Sequence, residues 1–231
     1  MNEAEFDQYA EHYESMMREN IAVTGEGPEY FARYKVADTR ALCDLKGIEP
    51  ATILDFGSGI GASTPFFAEY FPQSRQLSAD VSEKSLRFLE TRYQGVSEPV
   101  HISKDRIPLD ESSVDLAFTA CVFHHISPDD HAHWLKEIHR VLKPGGLFLL
   151  FEHNPYNPLT VRAVNTCPFD ENAILIEAST MARRLLGAGF LKPETRYRIF
   201  FPSLMSAFRP LEKALMWLPL GGQYSLAAQA A

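Results

Sequence analysis

A glycine-rich turn between a short apolar strand and a helix is the feature that most limits how this chain can fold. The β-rich run Thr52–Phe56 leads directly into Gly57, Gly59 and Gly61. Glycine is needed where a strand turns sharply into a helix, and it lets the backbone approach a ligand closely. The N–H groups at the start of the next helix then face that ligand. The turn is therefore typical of the first strand–helix unit of a nucleotide-binding sheet.

Strands and helices alternate along the rest of the chain. Hydrophobic periodicity predicts helices over 2–20, 29–46, 63–70, 82–93, 129–142, 175–188 and 203–217, and strands over 52–56, 75–79, 100–103, 114–121, 147–152, 194–201 and 223–230. The stretch between 152 and 175 is predicted to be irregular. This alternation predicts a single α/β domain over 1–231, with a helical cover (1–46), a sheet core (47–231) and an insertion (202–221).

Composition limits the compartment and the partners. A length of 231 residues with 45% hydrophobic residues suits one domain with a sizeable core. The net charge of −8 argues against a nucleic-acid partner, which usually meets a basic face. The three cysteines form no paired spacing, and no run approaches the roughly 20 apolar residues of a membrane span. We expect a cytoplasmic protein without a transmembrane segment.

Two acids flank the glycine turn. Asp55 precedes its first glycine, and Asp80 ends the next predicted strand, where a carboxylate can accept both hydroxyls of a ribose. An alternative role for Asp80 is at the start of the helix that follows Ser82. Gly57, Gly59 and Ala62 also match the dinucleotide form of the turn, so an NAD-dependent oxidoreductase is a second hypothesis.

Four segments in order resemble the signatures of class I S-adenosylmethionine-dependent methyltransferases. They are ILDFGSGIGAST, SADVS, IPLDESSVDLAFTACVFHHI and EIHRVLKPGGLFLLFEHNP, and FDQYAEHYESMM resembles the cofactor-covering segment of small-molecule members. The resemblance implies a doubly wound, mostly parallel seven-stranded sheet of Rossmann-like type whose last strand is antiparallel. It also implies methyl transfer from S-adenosylmethionine to a small or medium-sized acceptor. A module that binds this cofactor without transferring its methyl group is a further alternative.

The resemblance also assigns cofactor contacts. Asp55, Gly57, Ser58 and Gly59 would hold the methionine end, Asp80 the ribose, Val81 and Asp105 the adenine, and Ala120 and Cys121 would lie near the sulfonium. The family's usual acid at the adenine lies two residues before Asp105, where this chain has Ser103.

Histidines follow the fourth and fifth predicted strands. Because the sulfonium is already activated, the enzyme mainly has to align the acceptor and exclude water. A general base helps only an acceptor that carries a proton, and His124, His125 and His153 are the candidates. A backbone hydrogen bond or packing beside the cofactor is the alternative for His125. No metal site is expected among the histidines, because no carboxylate has clear spacing as a further ligand.

Aromatic and aliphatic residues suggest an acceptor with hydrophobic parts. Tyr9, Tyr13, Tyr30, Phe31 and Tyr34 fit either a lid over the site or ordinary packing. One face of the predicted helix 203–217 carries Leu204, Phe208, Leu211 and Leu215, which we expect in the core, with peripheral membrane contact as the alternative.

Overall fold

The computed structural model describes residues 24–103 and 105–231. Its strands are β1 (Thr52–Phe56), β2 (Arg75–Asp80), β3 (Glu98–His101), β4 (Val114–Ala120), β5 (Leu142–His153), β6 (Phe190–Arg198) and β7 (Gln223–Ala230). Its α-helices are α1 (Pro28–Lys46), α2 (Thr64–Tyr70), α3 (Glu83–Arg92), α4 (His131–Val141), α5 (Pro158–Thr166), α6 (Ala178–Gly187) and α7 (Glu212–Leu215). Short 3-10 helices cover Phe123–His125, Pro168–Asp170 and Ser203–Leu211.

The seven strands form one sheet in the order β3-β2-β1-β4-β5-β7-β6. Strands β1 to β5 pair in parallel, whereas β7 runs antiparallel to both of its neighbours, β5 and β6. The prediction of a doubly wound, mostly parallel sheet with an antiparallel last strand is confirmed. The order reverses at β1, so the carboxyl ends of β1 and β4 meet at the crevice where such sheets bind ligands.

Both faces of the sheet are buried. On one face Leu54, Phe56 and Phe148 belong to a cluster that α4 and α6 cover, and on the other Ile53 and Phe118 belong to a second cluster beneath α1 and α2. Alternate residues of a strand point to opposite faces, so the apolar runs in β1, β4 and β5 fill both layers. Within the described part of the chain, no helix is long and apolar enough to cross a membrane.

The stretch predicted to be irregular contains a helix. Asn157 begins α5, and its side chain accepts hydrogen bonds from the N–H groups of Leu159 and Thr160. Pro158 occupies the first helical position, where the missing N–H removes no bond. The Asn-Pro pair thus carried a local start signal that the periodicity alone did not reveal.

The insertion before β7 differs from its prediction. Ser203–Leu211 is 3-10 rather than α-helical, with non-helical angles at Met205, and the α-helix that follows has four residues. A 3-10 helix repeats every three residues, so α-helical spacing no longer gathers one buried face. Leu204 is 95% exposed, and Phe208 and Leu211 are also exposed, so their predicted place in the core is wrong. The predicted helix 2–20, the segment FDQYAEHYESMM, Tyr9 and Tyr13 lie outside the described residues.

Candidate functional site

A cavity of about 350 Å³ opens where the carboxyl ends of the parallel strands meet the segments around them. Residues predicted from the sequence line it, namely Asp55, Gly57, Ser58, Gly59, Asp80, Val81, Ala120, Cys121, His124, His125 and His153. A second, more open depression runs along α5 between Tyr156 and Thr166, and it contains none of these residues. The cavity lined by the predicted residues is therefore the candidate site.

The glycine turn forms one wall of the cavity. The N–H groups of Gly57 and Ser58 both donate to the carbonyl of Ala79, at 2.8 and 3.0 Å, and so tie the turn to β2. Gly57 has φ of 75°, and a Cβ added there would lie 2.4 Å from Val122 Cγ2. Gly59 has φ of 52°, but a Cβ there would meet no atom within 4 Å. The two glycines thus serve different needs: close packing at Gly57 and open space at Gly59.

Asp80 is held rigidly at the end of β2. Its Oδ2 accepts from the N–H of Gly59 at 2.8 Å, and its Oδ1 accepts from the N–H of Ser82 at 2.9 Å. The cap of α3 is Ser82 itself, whose hydroxyl accepts from the N–H of Ser85. Burial raises the pKa of Asp80, although these N–H groups favour its charged form. Both carboxylate oxygens retain lone pairs for further donors.

A lysine from the first helix lies close to the buried acid of β1. Burial, with the nearby charge of Asp80, raises the pKa of Asp55 to about 7, and Lys35 opposes the shift. Lys35 is itself buried, and its Nζ donates to Cys121 Sγ at 3.3 Å. Sequence analysis missed Lys35, because a single lysine in a helix usually indicates a solvated surface.

Cys121 follows β4 in a strained backbone position, with φ of 59°. The amide of Gln223 lies 3.6 Å from its Sγ, and the hydroxyl of Tyr34 donates to the side-chain oxygen of Gln223. Burial opposes the thiolate, but the positive charge of Lys35, together with the neighbouring His153, outweighs it and lowers the pKa of Cys121 to about 6. The end of β4 therefore places at the cavity a thiol whose ionisation these neighbours favour.

His124 is locked by a buried carboxylate. Its Nδ1 donates to Glu152 Oε2 at 2.6 Å, and Glu152 Oε1 accepts from the backbone N–H groups of Val122 and Phe123, at 3.1 and 2.7 Å. Burial opposes the imidazolium, but the charges of Glu152 and Asp170 outweigh it and raise the pKa of His124 to about 10. Donation from Nδ1 to Glu152 leaves Nε2 as the nitrogen of His124 that faces Asp170.

Asp170 joins the two neighbouring histidines. Its Oδ1 lies 3.6 Å from His124 Nε2 and 3.4 Å from His125 Nε2. Sequence spacing did not reveal a carboxylate near these histidines, because the fold brings Asp170 to them from the 3-10 helix Pro168–Asp170. His131 is not part of the group, since its Nε2 lies 2.9 and 3.0 Å from the carbonyl oxygens of Phe123 and Ile126.

Asp105 lies away from the cavity. It is exposed, its backbone carbonyl contacts His133 Nε2 at 2.5 Å, and it is not among the lining residues. The structure therefore does not bring it together with the other predicted cofactor contacts.

Asn154 is buried and donates from its side-chain amide to the carbonyls of Pro219 and Gly221, which gives it a structural role.

Comparisons with known proteins agree with this architecture. A family model described as a methyltransferase domain matches residues 54–150. The trans-aconitate 2-methyltransferase of Azoarcus is 30% identical over 185 residues, covering 77% of this chain and 67% of the relative. The ubiquinone/menaquinone biosynthesis C-methyltransferase of Hahella chejuensis is 28% identical over 56% of this chain and 55% of its own length.

Two further matches differ in how much of each chain they cover. The malonyl-[acyl-carrier protein] O-methyltransferase of Methylococcus capsulatus is 35% identical over 43% of this chain, which spans only 36% of that relative. The crystal structure of an S-adenosylmethionine-dependent methyltransferase from Thermotoga maritima superposes with a TM-score of 0.69 at 16% identity, covering 99% of both chains.

The chain belongs to the class I S-adenosylmethionine-dependent methyltransferases. It is an enzyme that takes its methyl group from S-adenosylmethionine, and the oxidoreductase hypothesis is set aside.

Proposed function

We propose that this methyltransferase acts on a small or medium-sized acceptor with apolar parts, bound in the same cavity as the cofactor. The observation that carries this proposal is the composition of the wall beyond the glycine turn. That wall comes from α1, α5 and the segment after β6, and its apolar members are Tyr30, Phe31, Leu159, Val164, Phe200, Phe201 and Pro202. Enclosure by such side chains favours an acceptor that loses apolar surface to water on binding.

The residues around the glycine turn fit the adenosyl and methionine parts of the cofactor. Asp80 has lone pairs left for two neighbouring ribose hydroxyls, and the space beside Gly59 is free for the ligand. Ser58 Oγ is buried in the cavity wall and has no hydrogen-bond partner among the described residues, as expected of a group that awaits a ligand. Asp55 would face the methionine ammonium group, and Lys35 its carboxylate.

The acceptor would then lie between the sulfonium and the histidines. S-adenosylmethionine supplies an activated methyl group, so the protein has to align the acceptor in line with it. For an acceptor that carries a proton, His153 is the favoured base, since it lines the cavity at the end of β5 and is half-buried. His124 is unsuited because its side chain is only 1% exposed and its Nδ1 is hydrogen-bonded to Glu152.

Calorimetric titration with S-adenosylmethionine and S-adenosylhomocysteine tests the cofactor site. Asp80→Asn keeps the volume of the side chain but removes the charge and one acceptor, so we expect binding at least tenfold weaker, as for the loss of a charge-assisted hydrogen bond. Asp110→Asn makes the same change on an exposed turn and serves as the control. Equal affinity in the Asp80 variant would remove this residue from the cofactor site.

Transfer of a radiolabelled methyl group to fractions of a cell extract tests the acceptor. We expect label in small molecules that partition into organic solvent. Label confined to protein or nucleic acid would contradict the proposed acceptor class. Tight cofactor binding without any labelled product would point to a binding module instead.

A further inference from the structure

Three potential metal ligands meet on one side of the cavity. One nitrogen from each of His124 and His125 and one carboxylate oxygen of Asp170 all lie within 4.8 Å of one another. We propose that these residues form a binding site for a divalent transition-metal ion such as Zn²⁺ or Fe²⁺.

The distances from Asp170 to the two histidines suit a metal ion bound between them. Zinc lies about 2.1 Å from histidine nitrogen and carboxylate oxygen, and tetrahedral geometry then separates the ligand atoms by about 3.4 Å. Asp170 Oδ1 is 3.4 Å from His125 Nε2 and 3.6 Å from His124 Nε2. The second separation is too long for a hydrogen bond but fits two ligands of one ion.

A second carboxylate orients the first histidine. Since Nδ1 of His124 donates to Glu152 Oε2 at 2.6 Å, its Nε2 is the atom directed at Asp170. Metal-binding histidines almost always donate their other nitrogen in this way, which fixes the ring and its tautomer. Glu152 is anchored in turn by two backbone N–H groups, so the outer shell of the site is already in place.

Asp170 is also tied to the histidines through the backbone. The segment that follows it returns to His124, where the N–H of Ile174 donates to the carbonyl of His124 at 2.8 Å. The two pieces of chain that supply the ligands are thus held together independently of the metal.

Charge balance gives the site a reason to take a cation. Glu152 and Asp170 place two carboxylates in a largely buried volume, with side chains 1% and 10% exposed. A divalent ion bound between the imidazoles and Asp170 would compensate this charge. Two imidazoles and one carboxylate favour zinc, iron, cobalt or nickel over magnesium or calcium.

The three ligands leave part of the coordination sphere open toward the cavity, because all three residues line that cavity. Three protein ligands with an open position are typical of metal sites that bind a substrate or water. The ion would accept an oxygen donor of the acceptor, such as a hydroxyl or carboxylate. This last step rests on the proposed function, whereas metal binding itself does not.

Titration of the chelator-stripped, full-length protein with Co²⁺, followed by visible absorption, tests the site. We expect one equivalent to bind with the bands of a low-symmetry site, and Zn²⁺ to displace it. Asp170→Asn and His125→Gln should weaken binding at least tenfold, and Glu152→Gln, a positioning change, about 10- to 100-fold. His133→Gln is the matched control, because it removes an exposed histidine outside the group.

Cofactor titration of the same variants separates the two proposals. Far-ultraviolet circular dichroism and thermal unfolding of Asp170→Asn would establish that the variant is folded. Absence of stoichiometric Co²⁺ binding, or binding that survives both Asp170→Asn and His125→Gln, would overturn the metal site. Metal binding in a protein that fails to bind S-adenosylmethionine would instead contradict the cofactor assignment and leave the metal site intact.

Discussion

Asp55→Asn should make the protein more stable while weakening its hold on the cofactor. Burial, with the nearby charge of Asp80, raises the pKa of Asp55 from 3.8 to about 7 in the folded state. A raised carboxyl pKa means that the folded protein binds a proton that the unfolded chain has released. Stability therefore falls as the pH rises from the unfolded value toward the folded one. Asparagine keeps the shape of the side chain and does not titrate.

The magnitude follows from the size of the shift. Each pKa unit corresponds to about 1.4 kcal/mol, and wild type loses this amount for each pH unit between pH 5 and pH 7. The free energy of unfolding of Asp55→Asn, relative to wild type, should thus increase by about 3 kcal/mol between pH 5 and pH 8. Above pH 7 the difference should level off, because Asp55 is then ionised in both states.

Urea unfolding of both proteins at pH 5, 6, 7 and 8 measures this difference. Asp110→Asn, on an exposed turn, controls for the loss of a surface charge. Calorimetry at pH 8 gives the second result, where we expect S-adenosylmethionine to bind the Asp55 variant tenfold or more weakly. A stability difference that stays flat with pH would refute the desolvation argument, and unchanged affinity would refute the assignment of Asp55 to the ammonium group.

Three further perturbations test other parts of the site. The rate of Cys121 alkylation by iodoacetamide should rise with pH, with a midpoint near pH 6. Lys35→Met should move that midpoint upward, because it removes the cation that favours the thiolate. Mass spectrometry of the labelled peptide measures both midpoints, and an unchanged midpoint in the variant would contradict the pairing of Lys35 with Cys121. Gly57→Ala should lower the unfolding free energy by about 2 kcal/mol or more, through steric clash and backbone strain. Gly59→Ala should lower it by only about 1 kcal/mol and should chiefly weaken cofactor binding. Equal stability of the two variants in thermal unfolding would argue against this difference. Leu204→Ser should change the unfolding free energy by less than about 0.5 kcal/mol, because the side chain is exposed; a loss typical of core leucines would mean that the segment packs elsewhere in solution.

The sheet and the glycine turn could be predicted because their signals are local. β1, the glycines and Asp80 follow one another within a short stretch, and apolar runs identified β4 and β5 as buried strands. The prediction for the insertion was wrong, because its local signal was misleading. Its apolar spacing matched an α-helix, but Ser203–Leu211 is a 3-10 helix with Leu204 in solvent. The buried residue is Glu212 of α7, whose carboxylate accepts from the N–H groups of Phe200 and Phe201.

The residues that complete the cavity were missed because tertiary packing brings them there. Lys35 comes from α1, Asp170 from a 3-10 helix after α5, and Gln223 from the start of β7, and each is far in sequence from the residue it meets. None belongs to a motif whose spacing implies a role. Only the order of the strands, together with the return of the chain between β5 and β6, puts them beside Cys121 and the histidines.

The position of β7 has a consequence for how the molecule assembles. β6 precedes β7 in the chain, yet it joins the sheet only through β7, which lies between it and β5. Until β7 has been synthesised, β5 keeps an open, apolar edge and β6 has no partner. The parallel half of the sheet can therefore form early, whereas closure of the cavity wall at Gln223 must come last. A nascent chain that stalls before β7 would expose the unpaired, apolar edge of β5 to other chains and would be prone to aggregate.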